Sequence, residues 1–199
     1  MDKRAIGQAW ERLHQAQNAH KALLMSTSFA QTETAWLQFL NNAAKIYSKL
    51  GKGSKGSGSS EGWFGRVKHE RRTDPLLSYV HHARNADEHG IEPITERDKG
   101  FLSIRGDVLI EHLTTDDDGV LSSLKARSLN PLKPIEVKHR PGGVRLVTVV
   151  DDLHNDSFTV PTHHLGKLLE SQSLEHVATL TLTYLTRLIE DGAKYIKQA

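Results

Sequence analysis

The sequence predicts a mainly α fold: an antiparallel bundle of amphipathic helices, with a small antiparallel β-sheet inserted before the closing helices. Three observations carry this. Apolar residues recur every three or four positions through the first fifty residues. Between about 98 and 160 the chain turns to β-branched residues alternating with polar ones. Beyond residue 172 the helical period returns. At 199 residues the chain is long enough for one sizeable core, and it reads as a single domain over 1–199.

The first helix spans 3–25, with Ile6, Trp10, Leu13, Ala16, His20 and Leu24 on one stripe. His20 on that stripe reads as a satisfied core or boundary histidine. "STSFAQTE" breaks the pattern and offers Ser28 or Thr32 as an N-cap. A second helix follows to about Leu50, its apolar face formed by Trp36, Leu40, Ala43, Tyr47 and Leu50. "GKGSKGSGSSEG" (51–62) reads as a flexible Gly/Ser/Lys loop. It is not a phosphate-binding loop, because GxxxxGK[ST] is absent and the segment follows a helix rather than a strand.

"WFGRVKHERR" is a short helix anchored to the core by Trp63 and Phe64. "TDPLLSYV" opens a third long helix. Thr73 or Asp74 caps it, Pro75 suits its first turn, Leu76, Leu77 and Val80 are its buried side, and Gly90 and Pro93 stop it.

The β insertion is expected over 98–160. "RPGG" (140–143) reads as a hairpin turn and "TTDDDG" (114–119) as another, the latter without the spacing of a calcium loop. Closing helices are expected over 161–198, beginning in "PTHHLGKLLE" and continuing on an apolar face of Leu174, Val177, Leu180, Tyr184, Leu188 and Tyr195. That face is too apolar to stand alone and folds back on the N-terminal helices. The sequence holds no internal repeat.

Composition narrows the function classes. The absence of cysteine excludes disulfides and thiolate-held zinc. The first residues lack the apolar core of a signal peptide, and no run approaches the roughly 20 apolar residues of a membrane span. The expectation is a soluble, cytoplasmic protein with no membrane partner. A net charge of +2 does not by itself imply a polyanion. Its distribution says more. From Lys49 to Arg72 the positives are Lys49, Lys52, Lys55, Arg66, Lys68, Arg71 and Arg72, against Glu61 and Glu70 alone. Such a run is either a solvated loop or a guide for a phosphate backbone.

That run leads into "LSYVHHARNADEHGIEP" (77–93), a helix end crowded with groups that carry or move protons. With about 100° per residue, Asn85 and His89 lie about 40° apart, and His82 joins their face. Arg84 is five before His89, roughly 140° around the axis, and reaches it only by bending or from a neighbouring molecule. The partial negative charge of a helix C-terminus attracts a cationic imidazole. These residue types suit phosphodiester cleavage without a metal. Histidine takes or gives the proton, and arginine offers a planar fork of donors to the phosphate.

"ARNADEHG" resembles the RNxxxH form of the R-x4-6-H motif of HEPN domains (higher eukaryotes and prokaryotes nucleotide-binding). The context is similar over about 3–90 and 172–197: two amphipathic helices, the motif near the end of another, then a closing helix. The resemblance implies an all-helical bundle that forms a homodimer through the motif helices, two motifs meeting across a twofold axis as one metal-independent ribonuclease site. Carried over by position, Arg84 is the phosphate-binding arginine, Asn85 the polar residue that follows it, and His89 the catalytic histidine. Arg84 of one subunit then serves His89 of the other. His82, Glu88, Lys68, Arg71 and Arg72 are the candidate substrate-binding residues. No metal or cofactor is implied; the partners are a second copy, RNA and, for members that are toxins, a neutralising protein. The β insertion departs from the small all-helical members.

Other readings of the same residues stay open. Arg84, Asp87 and Glu88 can be helix-surface pairs with His89 at the helix end. A metal site from His81, His82, Asp87 and His89 lacks the i, i+4 ligand spacing, and "THH" (162–164) reads as a surface helix start. The alternative function is a catalytically silent module that binds nucleotide or protein, or a structural subunit.

Overall fold

The computed structural model describes residues 1–130, 132–151 and 156–196. Among them are helices α1 (Lys3–Met25), α2 (Phe29–Gly53), α3 (Gly58–Thr73), α4 (Pro75–His89) and α5 (Leu174–Ala193). Each start has a local cause. The Asp2 carboxylate accepts the Arg4 amide at 2.8 Å, Ser28 Oγ accepts that of Gln31 at 3.3 Å, and Ser173 Oγ that of His176 at 3.3 Å. At α4 the Asp74 carboxylate accepts the Leu77 amide at 2.9 Å and Pro75 takes the first turn, where a missing N–H costs nothing.

The expected apolar stripes form the core. α1 packs along α2 and α5, while α4 packs on α2 and α3. Trp36, Phe39, Leu13, Leu76, Leu185 and Ile189 are fully buried, and the Trp36 and Phe39 rings stack at 5.6 Å. Burial of this kind contributes about 1.5–3 kcal/mol per large apolar side chain. Trp63 is buried against Tyr195, as its anchoring reading required. His20 is tied to α5, its Nε2 3.1 Å from Thr179 Oγ1.

Three sequence expectations are corrected. Residues 51–62 are not a loop: α2 continues to Gly53, α3 begins at Gly58, and four residues connect them. Two of the glycines, Gly51 and Gly53, serve close packing. A Cβ on Gly53 would run into the Ala5 methyl, and one on Gly51 would stand 2.7 Å from the Phe64 ring. Buried Ser60 donates to the Ser54 carbonyl at 2.7 Å and closes the turn. The predicted short helix is thus a full helix of 16 residues.

The second correction concerns the insertion, which begins at Thr95 and is not one sheet. Strands β1 (Thr95–Asp98) and β2 (Phe101–Arg105) pair antiparallel with β6 (Gly143–Leu146) and β5 (Glu136–Arg140), respectively. "RPGG" therefore joins β5 to β6 along one kinked ribbon instead of turning a hairpin. β3 (Val108–Thr115) and β4 (Leu121–Ser128) form a bulged hairpin whose turn lies at 116–119, inside the predicted 114–119, with Thr114 and Thr115 belonging to β3. β7 (Val149–Asp151) pairs with β8 (Asp156–Phe158). Ile94, Leu146 and Val149 are buried, but no residue of β2, β3, β4 or β5 is. Polar ties hold the insertion on the helices: Arg97 forks onto Glu33 at 3.0 and 2.7 Å, and Asp118 Oδ2 accepts the Phe29 amide at 2.7 Å. The Tyr79 hydroxyl donates to the Val147 carbonyl at 2.8 Å.

Third, the described part of 161–198 holds one closing helix, not several. "THHLGKL" forms a two-residue turn between β9 (His163–His164) and β10 (Lys167–Leu168), with Leu165 and Gly166 at positive φ, before α5 begins. Asp74 enforces the turn by accepting from the Leu165 amide at 2.6 Å and lying 3.0 Å from His164 Nδ1. The last part of that expected range, 197–198, lies outside the described residues. Among the described residues no helix is long and apolar enough to cross a membrane.

Candidate functional site

Helices α2, α3 and α4 enclose a groove of about 760 Å³. Lys45 and Lys52 enter it from α2, Lys55 from the connection, Lys68 and Arg71 from α3, and Arg84 from α4. Lys45 and Lys52 are seven residues apart, so two helical turns bring them to within roughly 20° of one line. Among the described residues Glu61 is the sole acidic group in the lining, and its Oε1 accepts the Gly56 amide at 2.7 Å. Among the described residues neither Arg71 nor any of these four lysines is in an ion pair. Clustered like charges in a concave, partly desolvated space repel one another and raise the local attraction for anions.

Arg71 is the most enclosed of the five. Its guanidinium lies over the Tyr47 ring at 4.8 Å, and its Nε is buried without a hydrogen-bond partner among the described residues. Burial pushes its pKa down from the ordinary arginine value. Beneath it the Tyr184 hydroxyl donates to Glu70 at 2.7 Å, so the adjacent carboxylate is engaged with the core. Burial raises the pKa of both Tyr47 and Tyr184, so both phenols stay protonated.

At the far end of the groove Arg84 and Asn85 line the wall together with His81. Arg84 Nη1 donates to Asn85 Oδ1 at 3.4 Å and pairs with the Glu88 carboxylate one turn on. The same Glu88 oxygen stands 3.4 Å from His89 Nε2. Glu88 thereby bridges the two motif residues that 140° of helical rotation separates. The Arg84 side chain is 26% exposed and that of His89 64%, so the arginine is part of the wall and the histidine faces solvent.

The predicted site residues divide accordingly. Lys68, Arg71, Arg84 and Asn85 share the groove, while Glu88 and His89 join it through Arg84. Arg72 is exposed and outside the lining. His82 is corrected: its ring stacks flat on Phe158 of β8, centroids 3.5 Å apart, and helps seat the insertion. Lys45 was not foreseen, and Lys52 and Lys55 were seen only as part of a charge run. The available signal was the Lys45–Lys52 spacing on the polar side of α2. The "THH" histidine His164 holds Asp74 rather than a surface helix. Among the described residues no three His, Asp or Glu side chains are grouped to hold a metal ion. No protein-family model, curated protein or solved structure matches the chain.

Proposed function

We propose that the protein is a HEPN-like, metal-independent endoribonuclease working as a homodimer in which the α4 ends of two subunits face each other. The observation that supports this best is the continuity from the cationic groove to Arg84 and, through Glu88, to His89. The scissile phosphate sits at the Arg84 fork, which stabilises the charge that grows on the phosphoryl oxygens. One His89 takes the proton of the ribose 2′-hydroxyl as its oxygen bonds to phosphorus. The P–O5′ bond breaks, and the His89 of the partner subunit gives a proton to the leaving oxygen. The products are a 2′,3′-cyclic phosphate and a 5′-hydroxyl end. Asn85 orients a phosphoryl oxygen without adding charge.

A second reading is favoured by one observation: His89 is largely exposed and does not line the groove. On that reading the groove binds phosphates and nothing is cleaved. The experiment is cleavage of a mixed-sequence RNA by the purified protein in EDTA, with mass measured in solution. The ribonuclease reading expects cyclic-phosphate products from a dimer, and about 10²-fold or greater loss on His89→Ala with the circular dichroism spectrum unchanged. Cleavage that requires a divalent ion, or that survives His89→Ala, refutes it.

A further inference from the structure

We infer that the α2–α3 side of the groove is a binding site for a compact phosphate chain, a nucleoside triphosphate or the 5′-triphosphate end of an RNA. The cations concerned are Lys45, Lys52, Lys55, Lys68 and Arg71, none of them in the Arg84–His89 motif. The inference stands whether or not that motif cleaves RNA.

Charge density carries the argument. Five cations converge on one concavity of about 760 Å³, against a single carboxylate, Glu61, among the described lining residues. That volume is the size of a site for one small molecule or one chain end, roughly 300–1,000 Å³. A nucleic-acid strand passing through carries one charge per phosphate and would leave most of the cations unmatched. A terminal triphosphate brings about three to four negative charges into the same few ångströms. Arg71 adds a second, independent indication. An enclosed guanidinium over Tyr47, with a buried Nε that has no acceptor and no ion pair among the described residues, is costly until an anion arrives. Its planar fork suits phosphate oxygens, and the mobile lysine heads can close over the rest of the chain. Arg84 differs, because Glu88 already balances it.

The test is isothermal titration calorimetry on the full chain, without divalent cations. The probes are inorganic triphosphate, GTP, and a short 2′-O-methyl RNA, which nothing at the motif can cleave, carrying either a 5′-triphosphate or a 5′-hydroxyl. The inference expects the triphosphate-bearing probes to compete for one site and the 5′-hydroxyl RNA to bind at least about tenfold more weakly. GTP binding as tightly as the triphosphate RNA assigns the site to a free nucleotide; tighter binding of the RNA assigns it to a transcript end. Lys52→Glu with Lys68→Glu, both at exposed positions, should weaken triphosphate binding about tenfold or more, while Lys21→Glu on α1 leaves it unchanged. The inference is overturned by equal binding of the two RNAs, by insensitivity to the double reversal in a folded variant, or by no binding of any triphosphate.

Discussion

Replacing Asp74 by alanine tests the joint between α4 and the β9–β10 turn. The carboxylate is buried and accepts from the Leu77 amide at 2.9 Å and the Leu165 amide at 2.6 Å, with His164 Nδ1 at 3.0 Å. Alanine removes an N-cap, about 1 kcal/mol. It also leaves the Leu165 amide and the His164 ring without their acceptor, and breaking a buried charged network of this kind costs about 3–5 kcal/mol in all. At about 2–4 °C per kcal/mol for a chain of this size, the midpoint falls by roughly 6–20 °C. The effect depends on pH. Burial pushes the Asp74 carboxyl up, but the bonds from His164, Leu165 and Leu77 outweigh it and hold its pKa below the ordinary carboxylate value. The unfolded chain therefore takes the proton first. The carboxylate's contribution is complete above about pH 4 and fades as pH drops through the lower folded value. Urea denaturation followed by circular dichroism, at neutral pH and near pH 3, measures both parts. A cost under about 1 kcal/mol at neutral pH, or one that does not shrink in acid, refutes the reasoning.

Two further outcomes follow from packing and backbone geometry. Gly53→Ala should destabilise the protein by about 1–3 kcal/mol in the same assay despite alanine's better helix propensity, since its methyl meets Ala5 on α1; a stabilised variant would refute the close approach. Leu165 sits at φ 48° and is 47% exposed, so Leu165→Asn should raise stability by about 0.5–1 kcal/mol, because Asn tolerates this backbone. A loss of stability would mean that the leucine packs more firmly than its exposure indicates.

The helices were legible because the burial that forms them leaves a period in the sequence. Leu174, Val177, Tyr184 and Leu188 of α5 were placed on one face by spacing alone, and all four are buried. Gly51 and Gly53 misled for a physical reason. Glycine marks both chain freedom and close approach, and only the positions of Ala5 and Phe64 tell which applies. "THHLGKLLE" misled because the force that turns it is the Asp74 carboxylate, ninety residues earlier for His164. "RPGG" misled because the local turn signal does not set strand partners: β5 and β6 pair with β2 and β1 over long range, not with each other. At the site, the cations of α3 and α4 were legible from local charge and motif. Their convergence with Lys45 on α2 depends on how three helices are juxtaposed, which no local pattern records.

The bond from the Phe29 amide to Asp118 spans 89 positions. During synthesis the first turn of α2 therefore emerges long before the acceptor that finishes it. The helical core can condense with that amide still open to water, and capture by the 116–119 tip becomes a late docking step. Deuterium uptake at Phe29 would then report when the insertion has closed onto the nascent core.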